Sequence, residues 1–217
     1  ALSPTQPESA VLIRHPKVGE KTSYKVSMTF RDGKTDLVIR GKATEEITRV
    51  DGPTFVVLRQ LGDTVLVMNG QEQKIEDHSA LRIVQLENGQ IVDLIRDRRK
   101  PEDFRLANLT QLIVPKAAVQ VGTKWTVDLA ASATTGLRKS LLKFEVLNFG
   151  NVGGEKSCQV MIDSEELEGK DPISCRGSFW ISPNSGRVLK SSLTVRNAPL
   201  GDGKPGQTVV TEQEINP

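Results

Sequence analysis

Apolar and polar side chains alternate over residues 24–31, and this period of two constrains the fold more than any other feature of the sequence. Tyr24, Val26, Met28 and Phe30 are apolar, and every residue between them is polar. Successive side chains of a strand point to opposite faces, so the pattern predicts a strand with one buried and one solvated face. The dipeptide at 32–33, Asp-Gly, follows at once and favours a two-residue hairpin turn. The chain is therefore predicted to be antiparallel and mainly β.

Similar strand-like runs continue along the rest of the chain, separated by glycine-containing turns. In the first half they are predicted at residues 37–39, 44–50, 54–60, 64–69 and 80–86. In the second half they are predicted at residues 124–129, 137–147, 157–162, 174–181, 187–196 and 208–214.

One stretch between these two sets of strands has the features of a helix. Pro101 is followed by Glu102 and Asp103, which places a proline at the first turn and two acids at the positive end of the helix dipole. Apolar residues then recur at near-helical spacing up to Pro115. The sequence predicts a helix over residues 101–114 that either links the two halves or covers the concave face of a curved sheet.

An approximate internal repeat relates the two halves. Residues 16–26 (PKVGEKTSYKV) are echoed by residues 121–127 (VGTKWTV), and the turn at 87–92 is echoed at 184–189. Short matches roughly 100 residues apart indicate a duplicated unit. The predicted fold is mainly β, with two related antiparallel curved sheets or half-barrels and one helix between them. The predicted divisions are a flexible tail over 1–12, a first β half over 13–100, the helix, and a second β half over 115–217.

Charge and hydropathy exclude several classes of protein. With 29 basic and 27 acidic residues, the net charge is +2, which is too balanced for a nucleic-acid-binding surface. No run approaches the roughly 18 apolar residues that a transmembrane helix needs. The chain opens Ala-Leu-Ser-Pro, which is typical of a mature protein after removal of a signal peptide. We therefore expect a periplasmic or extracellular location.

The two cysteines lie in strand-like runs on either side of a turn at residues 168–172. A hairpin formed by these runs would bring Cys158 and Cys175 close to each other, and directly opposed strand residues approach disulfide distance. The expected export favours a disulfide bond, and the alternative is two free buried thiols.

No motif for catalysis, for a cofactor or for a metal occurs. His15 and His78 stand in no metal-binding spacing, and no glycine-rich phosphate loop or nucleophile elbow is present. The acidic run at 163–171 lacks the spacing of a calcium-binding loop. The adjacent pairs at 45–46 (Glu-Glu) and 165–166 (Glu-Glu) point to opposite faces of their strands, so we expect solvated charges there. The sequence predicts a protein that is not an enzyme.

The densest positive patch comes just before the predicted helix and consists of Arg96, Arg98, Arg99 and Lys100. Such a cluster can contact a protein partner or lipid head groups. The alternative interpretation is a solvated face, and the lack of interleaved aromatic residues argues against nucleic acid.

The entry at residues 119–125 (VQVGTKW) and the hairpin at 177–188 (GSFWISPNSGRV) resemble those of a loose group of uncharacterised exported bacterial proteins. In this chain Pro183 or Asn184 replaces the aspartate that is usual in that hairpin. The curved sheets of that group are similar to the half-barrels of periplasmic lipoprotein carriers of the LolA/LolB type, in which a helix-plugged cavity holds acyl chains. The resemblance implies export and an incomplete barrel, and it transfers no binding residue.

Two functions remain open. The first is a non-catalytic interaction or structural protein, such as a subunit of a cell-envelope or extracellular assembly, with one or more protein partners. The second is a periplasmic carrier of lipid, lipoprotein or another apolar ligand, whose concave face would be lined by Tyr24, Val26, Met28, Phe30, Trp125, Val127 and Leu129. A cavity of about 300 Å³ or more lined by these residues would favour the carrier. A filled core with an exposed apolar or edge-strand patch would favour the assembly subunit.

Overall fold

In the computed structural model, residues 8–31, 36–75, 80–95, 101–200 and 204–216 are described. These residues form short and long strands and one helix. In the first half the elements are β1 (Ser9–Ala10), β2 (Lys21–Arg31), β3 (Asp36–Asp51), β4 (Thr54–Met68), β5 (Gln71–Ile75), β6 (Ala80–Leu86) and β7 (Ile91–Ile95). They are followed by α1 (Pro101–Leu109), β8 (Val119–Gln120), β9 (Lys124–Leu129), β10 (Ser140–Val152), β11 (Glu155–Glu166), β12 (Ser174–Ile181), β13 (Val188–Leu200) and β14 (Lys204–Ile215).

The long strands belong to one antiparallel sheet. Its order is β7-β6-β4-β3-β2-β14-β13-β12-β11-β10-β9, with β5 added to β4, while β1 pairs with β8 separately. The mainly β, antiparallel fold with one helix is therefore confirmed. The sequence predicted two sheets, whereas the structure joins the halves in one. The reason is that β14, the last strand, pairs with β2 along its length, from Thr208 opposite Arg31 to Ile215 opposite Tyr24.

The repeat at the start of each half forms two turns with the same hydrogen bonds. Gly19 (φ 83°) donates its N–H to Ile47 O at 2.8 Å, and Gly122 (φ 82°) donates to Val146 O at 2.9 Å. In both turns the residue after the glycine accepts a hydrogen bond in return from the same partner, at 2.9 and 3.0 Å. Aligning Gly19 with Gly122 therefore aligns β2, β3 and β4 with β9, β10 and β11. Internal duplication stays a prediction, and this match supports it.

Helix α1 ends at Leu109, five residues before the predicted end. Residues 110–114 continue as a buried segment because they bond to the turn between β6 and β7. The N–H of Val114 donates to Asn88 O at 2.9 Å, and the Gln111 side chain accepts from Ile91 N–H at 2.6 Å. The helix itself packs on β7, β11 and β13, so it lies against strands of both halves.

The two halves are filled unequally. Strands β9 to β13 and the segment after the helix enclose a large core in which Leu142, Val160 and Ile162 are fully buried. The core cluster that belongs to the first half is much smaller, and it consists of Ile47, Phe55 and Val57 with Ile83 against it. The same strand arrangement thus produces a packed half and a hollow half.

The predicted disulfide bond is wrong, since Cys158 and Cys175 are free, buried thiols. The predicted hairpin forms, but its register separates them, because Cys175 pairs with Ser164 while Cys158 pairs with Ile181. Six residues of strand correspond to about 20 Å, far beyond the roughly 7 Å between Cα atoms that a disulfide tolerates. Burial raises the pKa of the Cys158 thiol to about 11 and that of Cys175 to about 12, so both are neutral at physiological pH.

The N-terminal segment is held in the fold from residue 9 onward. Ser9 and Ala10 pair with β8, and Leu12 is buried, although the sequence assigned these positions to a flexible tail. In the part of the chain that the structure describes, no helix is long and apolar enough to cross a membrane.

Candidate functional site

The hollow half contains a cavity of about 650 Å³. Strands β2, β3, β4, β6 and β7 form one wall, β12 to β14 form the other, and α1 with residues 110–114 covers it. The lining is mostly apolar. The first-half wall includes Ile47, Phe55, Val57, Leu61, Leu81 and Ile83, the opposite wall includes Leu193, Val195 and Val209, and the cover includes Leu106 and Leu112.

Four of the seven residues predicted to line a concave face lie in this cavity. Tyr24, Val26, Met28 and Phe30 are alternate residues of β2, and all of them contribute to the lining. The last three are half-buried, while Tyr24 is buried at the cavity wall and its hydroxyl donates to Val188 O at 3.1 Å. Burial, and to a lesser degree the Glu45 carboxylate, raises the pKa of Tyr24 above its ordinary value. The phenol is therefore neutral and is a fixed part of the wall.

The other three predicted residues lie in the filled core instead. Trp125 stacks on Phe144 with ring centroids 5.2 Å apart, and its indole N–H donates to Ile113 O at 2.7 Å. Val127 packs against the same core, and Leu129 is buried within it. None of the three lines the cavity described here.

A polar row crosses the cavity wall. In the sheet register Thr22 of β2 lies opposite Glu45 of β3, which lies opposite Arg59 of β4. Arg59 donates from Nη1 to Glu45 Oε1 at 2.9 Å and from Nη2 to Gln213 Oε1 at 2.8 Å. Because Gln213 belongs to β14, the second bond reaches past both β3 and β2. The side chains of Arg59 and Glu45 are 29% and 23% exposed.

The expectation that Glu45 is a solvated charge is therefore wrong. It faces the cavity because it lies directly across from Thr22, a buried residue on the inward face of β2. A sequence signal for its partner exists: Phe55, Val57 and Arg59 are alternate residues of one strand, so the arginine shares the apolar face. The contact with Gln213 has no local signal, since 154 residues separate the two.

Further ion pairs surround the same region. Arg14 bonds to Glu20 at 2.6 Å, and Arg187 bonds to Glu155 at 3.2 Å. Arg187 also approaches the Thr22 hydroxyl at 3.5 Å. Each of the three arginines in the described lining is thus paired with a carboxylate.

A buried ion pair fixes the helix that covers the cavity. Arg105 donates from Nε and Nη2 to the two oxygens of Glu166, both at 2.6 Å, and Ile173 N–H donates to the same carboxylate at 2.9 Å. The two hydrogen bonds to the Glu166 carboxylate raise the pKa of the Arg105 guanidinium. Glu166 was expected to be solvated, but only 1% of its side chain is exposed. It is the last residue of β11, on which the helix packs. Arg105 balances its charge, and Arg138 adds a longer contact at 3.4 Å.

Other predicted contact residues give little further information. The basic cluster Arg96, Arg98, Arg99 and Lys100 lies outside the described residues, as does His78, and His15 is exposed. Among the described residues, no group of three or more histidine, cysteine or acidic side chains is arranged to hold a metal ion.

No protein-family model matches the chain, and none of the curated proteins compared with it does either. Solved structures with some similarity include the hypothetical lipoprotein YmcC from Escherichia coli, at 12% identity over 90% of this chain and 84% of that chain, with a TM-score of 0.35. An exported protein with a YmcC-like fold from Bacteroides fragilis has 12% identity over 96% of this chain and 100% of that chain, with a TM-score of 0.33. A DUF1329 family protein from Desulfovibrio piger has 11% identity over 90% and 84%, with a TM-score of 0.28.

These similarities agree with the loose resemblance to uncharacterised exported β-rich proteins that the sequence motifs indicated. With TM-scores below 0.5 they carry no argument about function, and no residue role is transferred from them.

Proposed function

We propose that this protein is a non-enzymatic carrier of an apolar or amphipathic ligand of lipid-like chemistry. The observation that carries the proposal is the cavity of about 650 Å³, whose lining is mostly apolar. This volume lies within the roughly 300–1,000 Å³ of pockets that hold small molecules. It also exceeds the volume of about 300 Å³ above which a carrier is favoured over an assembly subunit.

The physical basis is the transfer of hydrocarbon out of water. Val26, Met28 and Phe30 remain partly accessible from the cavity, so an apolar chain placed against them removes apolar surface on both sides. Burial contributes roughly 25 cal/mol for each Å² of apolar surface. No reactive group is needed for this kind of binding.

The polar groups of the lining support a binding role over catalysis. The Tyr24 hydroxyl is occupied by a carbonyl, and the arginines of the described lining are occupied by carboxylates. A general acid or base needs a pKa near the working pH and an accessible proton. Burial moves the pKa of Tyr24 upward, away from the working pH. Each arginine of the described lining holds its charge beside a carboxylate, and its remaining donors can bind a ligand but supply no readily transferred proton.

A second candidate, an assembly subunit, has one specific observation in its favour. Strand β7 is the terminal strand at one end of the sheet, and its Val92 and Ile95 are 48% and 47% exposed. An edge strand with exposed apolar side chains can pair with a strand of another protein. The remaining exposed large apolar residues are distributed over different turns and strands.

Native mass spectrometry of the protein purified from its source separates the two candidates. A co-purifying lipid of defined mass supports the carrier, while a stoichiometric protein partner with an empty cavity supports the assembly subunit. Titration with the neutral apolar dye N-phenyl-1-naphthylamine then tests the cavity itself. Saturable binding at one site is expected, and an absence of binding to lipid-free protein would contradict the carrier proposal.

We also propose that the protein is exported to the periplasm or the extracellular space, as the sequence predicted. The cysteines no longer bear on this question because both are free thiols. Fractionation of the source cells tests the location directly, and recovery of the protein in the cytoplasmic fraction would contradict it.

A further inference from the structure

The polar row of Thr22, Glu45 and Arg59 occupies a place that is apolar in the other half of the molecule. When the turn at Gly19 is aligned with the turn at Gly122, each residue of the polar row corresponds to one residue of the filled half. Those three residues are likewise neighbours on adjacent strands. Those residues are Trp125, Phe144 and Ile162.

The filled half shows what packing alone requires at these positions. There the aromatic rings of Trp125 and Phe144 stack, and Ile162 is fully buried. A partly buried ion pair adds little to stability, because both charges lose water on burial and well-packed hydrocarbon is an equal or better substitute. The ion pair of the hollow half therefore points to recognition of a ligand rather than to support of the fold.

The row presents both donors and acceptors to the cavity. A guanidinium has five N–H donors, and the hydrogen bonds of Arg59 to Glu45 and Gln213 use two of them. The Glu45 carboxylate accepts one of these bonds through Oε1, and its second oxygen retains acceptor capacity. A ligand group that itself donates and accepts, such as a hydroxyl, complements this arrangement.

The charges around the cavity argue against an anionic ligand head. Besides Glu20 and Glu45, which are paired with arginines, the lining includes the carboxylates Glu87, Asp103 and Glu212. An anion bound to Arg59 would lie close to the Glu45 carboxylate, because Glu45 is hydrogen-bonded to the same guanidinium. Like charges brought together in a desolvated site are strongly disfavoured.

We infer that Arg59 and Glu45 recognise an uncharged, hydrogen-bonding head group, so that the ligand is a neutral amphiphile such as a monoacylglycerol rather than a fatty acid. This inference rests on the proposed carrier function and names the ligand class for the same cavity. The acyl chain lies along Val26, Met28 and Phe30, and the head group reaches the polar row.

The test compares three twelve-carbon ligands below their aggregation concentrations, each displacing N-phenyl-1-naphthylamine at pH 8. They are 1-monolaurin, laurate and dodecyltrimethylammonium. We expect monolaurin to displace the dye at a concentration at least about tenfold lower than either ion, because the hydrogen bonds to Arg59 and Glu45 are charge-assisted. Equal or tighter binding of laurate or of dodecyltrimethylammonium would overturn the inference.

Two variants separate head-group recognition from general binding. The double variant Glu45→Leu/Arg59→Leu copies the apolar character of the filled half, so it should fold, bind the dye and lose the preference for monolaurin. The single variant Glu45→Gln keeps the shape but removes both the repelling charge and the charge-assisted acceptor. It should raise the affinity for laurate about tenfold and weaken the binding of monolaurin, so that the preference for monolaurin narrows or is lost. A double variant that keeps the monolaurin preference contradicts the inference.

A matched control uses an ion pair between the same two strands on the outer face. Lys42 and Asp63 are paired at 3.1 Å and are more than half exposed. The variant Lys42→Met/Asp63→Asn should leave all three affinities unchanged. Dye binding reports on the carrier proposal independently of head-group preference, so the two ideas fail in different ways: no dye binding overturns both, and dye binding without selectivity overturns this one.

Discussion

Arg59 on β4 occupies, in the hollow half, the position that Ile162 occupies on β11 in the filled half. Arg59 lies directly opposite Glu45 of β3, and Ile162 lies directly opposite Phe144 of β10. Glu45 and Phe144 in turn face corresponding residues of β2 and β9. The two halves thus pair their strands in the same register but pack different side chains at these positions. Where the second half buries hydrocarbon, the first keeps an ion pair against an open cavity.

This relationship predicts an unusual pattern of stability. The variant Arg59→Leu leaves Glu45 without its partner and should lower the free energy of unfolding by about 1 kcal/mol. The double variant Glu45→Leu/Arg59→Leu should recover the wild-type value or exceed it, because hydrocarbon replaces both charges. Urea denaturation with a common m-value measures both. A double variant less stable than the single one would show that the pair supports the fold.

Filling the cavity should weaken ligand binding. In Val26→Trp the new indole enters the cavity from β2, and dye affinity should fall by about tenfold or more as the apolar contact surface is lost. The matched control is Lys25→Trp, since Lys25 is the preceding residue and points to the exposed face of the same strand. If both variants bind the dye like the wild type, the dye does not occupy this cavity.

The helix cover depends on the pair between Arg105 and Glu166. Replacing Glu166 with Gln leaves a nearly buried guanidinium without its charge partner and should lower the free energy of unfolding by about 3 kcal/mol. Hydrogen exchange should also become faster over residues 101–109. Breaking the exposed pair between Arg176 and Asp163 with Asp163→Asn should change neither quantity measurably. Unchanged exchange in Glu166→Gln would mean that other contacts hold the helix.

Gly89 is required in the turn between β6 and β7, where residue 112 packs closely against it. A Cβ at this position would lie 2.1 Å from the backbone oxygen of Leu112, and the residue has φ +91°. Gly89→Ala should therefore destabilise the protein by about 3 kcal/mol or more, since the neighbour is backbone and cannot move aside cheaply. Gly52→Ala has positive φ but open space around it, so a loss of about 1 kcal/mol is expected. Thermal or urea unfolding of both variants checks the difference.

The buried thiols predict a loss of stability at alkaline pH. The folded-state pKa values of about 11 for Cys158 and about 12 for Cys175 lie above the ordinary thiol value of 9.0, so the folded chain keeps protons that the unfolded chain releases. The stabilising effect is complete below about pH 9 and is lost as the pH rises toward 11–12. A Cys158→Ala/Cys175→Ala variant should lose less free energy of unfolding over this window than the wild type. Equal losses would indicate that the thiols titrate normally.

The local sequence predicted most of the long strands, the inward face of β2 and the start of the helix, but not the short strands β1, β5, β7 and β8. Alternation in residues 24–31 identified Tyr24, Val26, Met28 and Phe30 as one face of a strand, because a period of two is a property of the backbone itself. The same argument predicted the hairpin that contains the cysteines. It did not give the register of that hairpin, and a shift along the strands was enough to separate Cys158 from Cys175 by six residues.

Tertiary structure decided what each inward face became. The faces of β2 and β9 look alike in sequence, yet one lines a cavity and the other is filled, because the helix and the segment that follows it pack on the second half. The charges depended on it too, since Glu166 meets Arg105 across 61 residues and Arg59 meets Gln213 across 154. The alternation of apolar and polar residues depends only on neighbouring residues and can be read from the sequence. The charge partners and the cavity depend on strands that are distant in the sequence and meet only in the folded sheet, as β2 and β14 do.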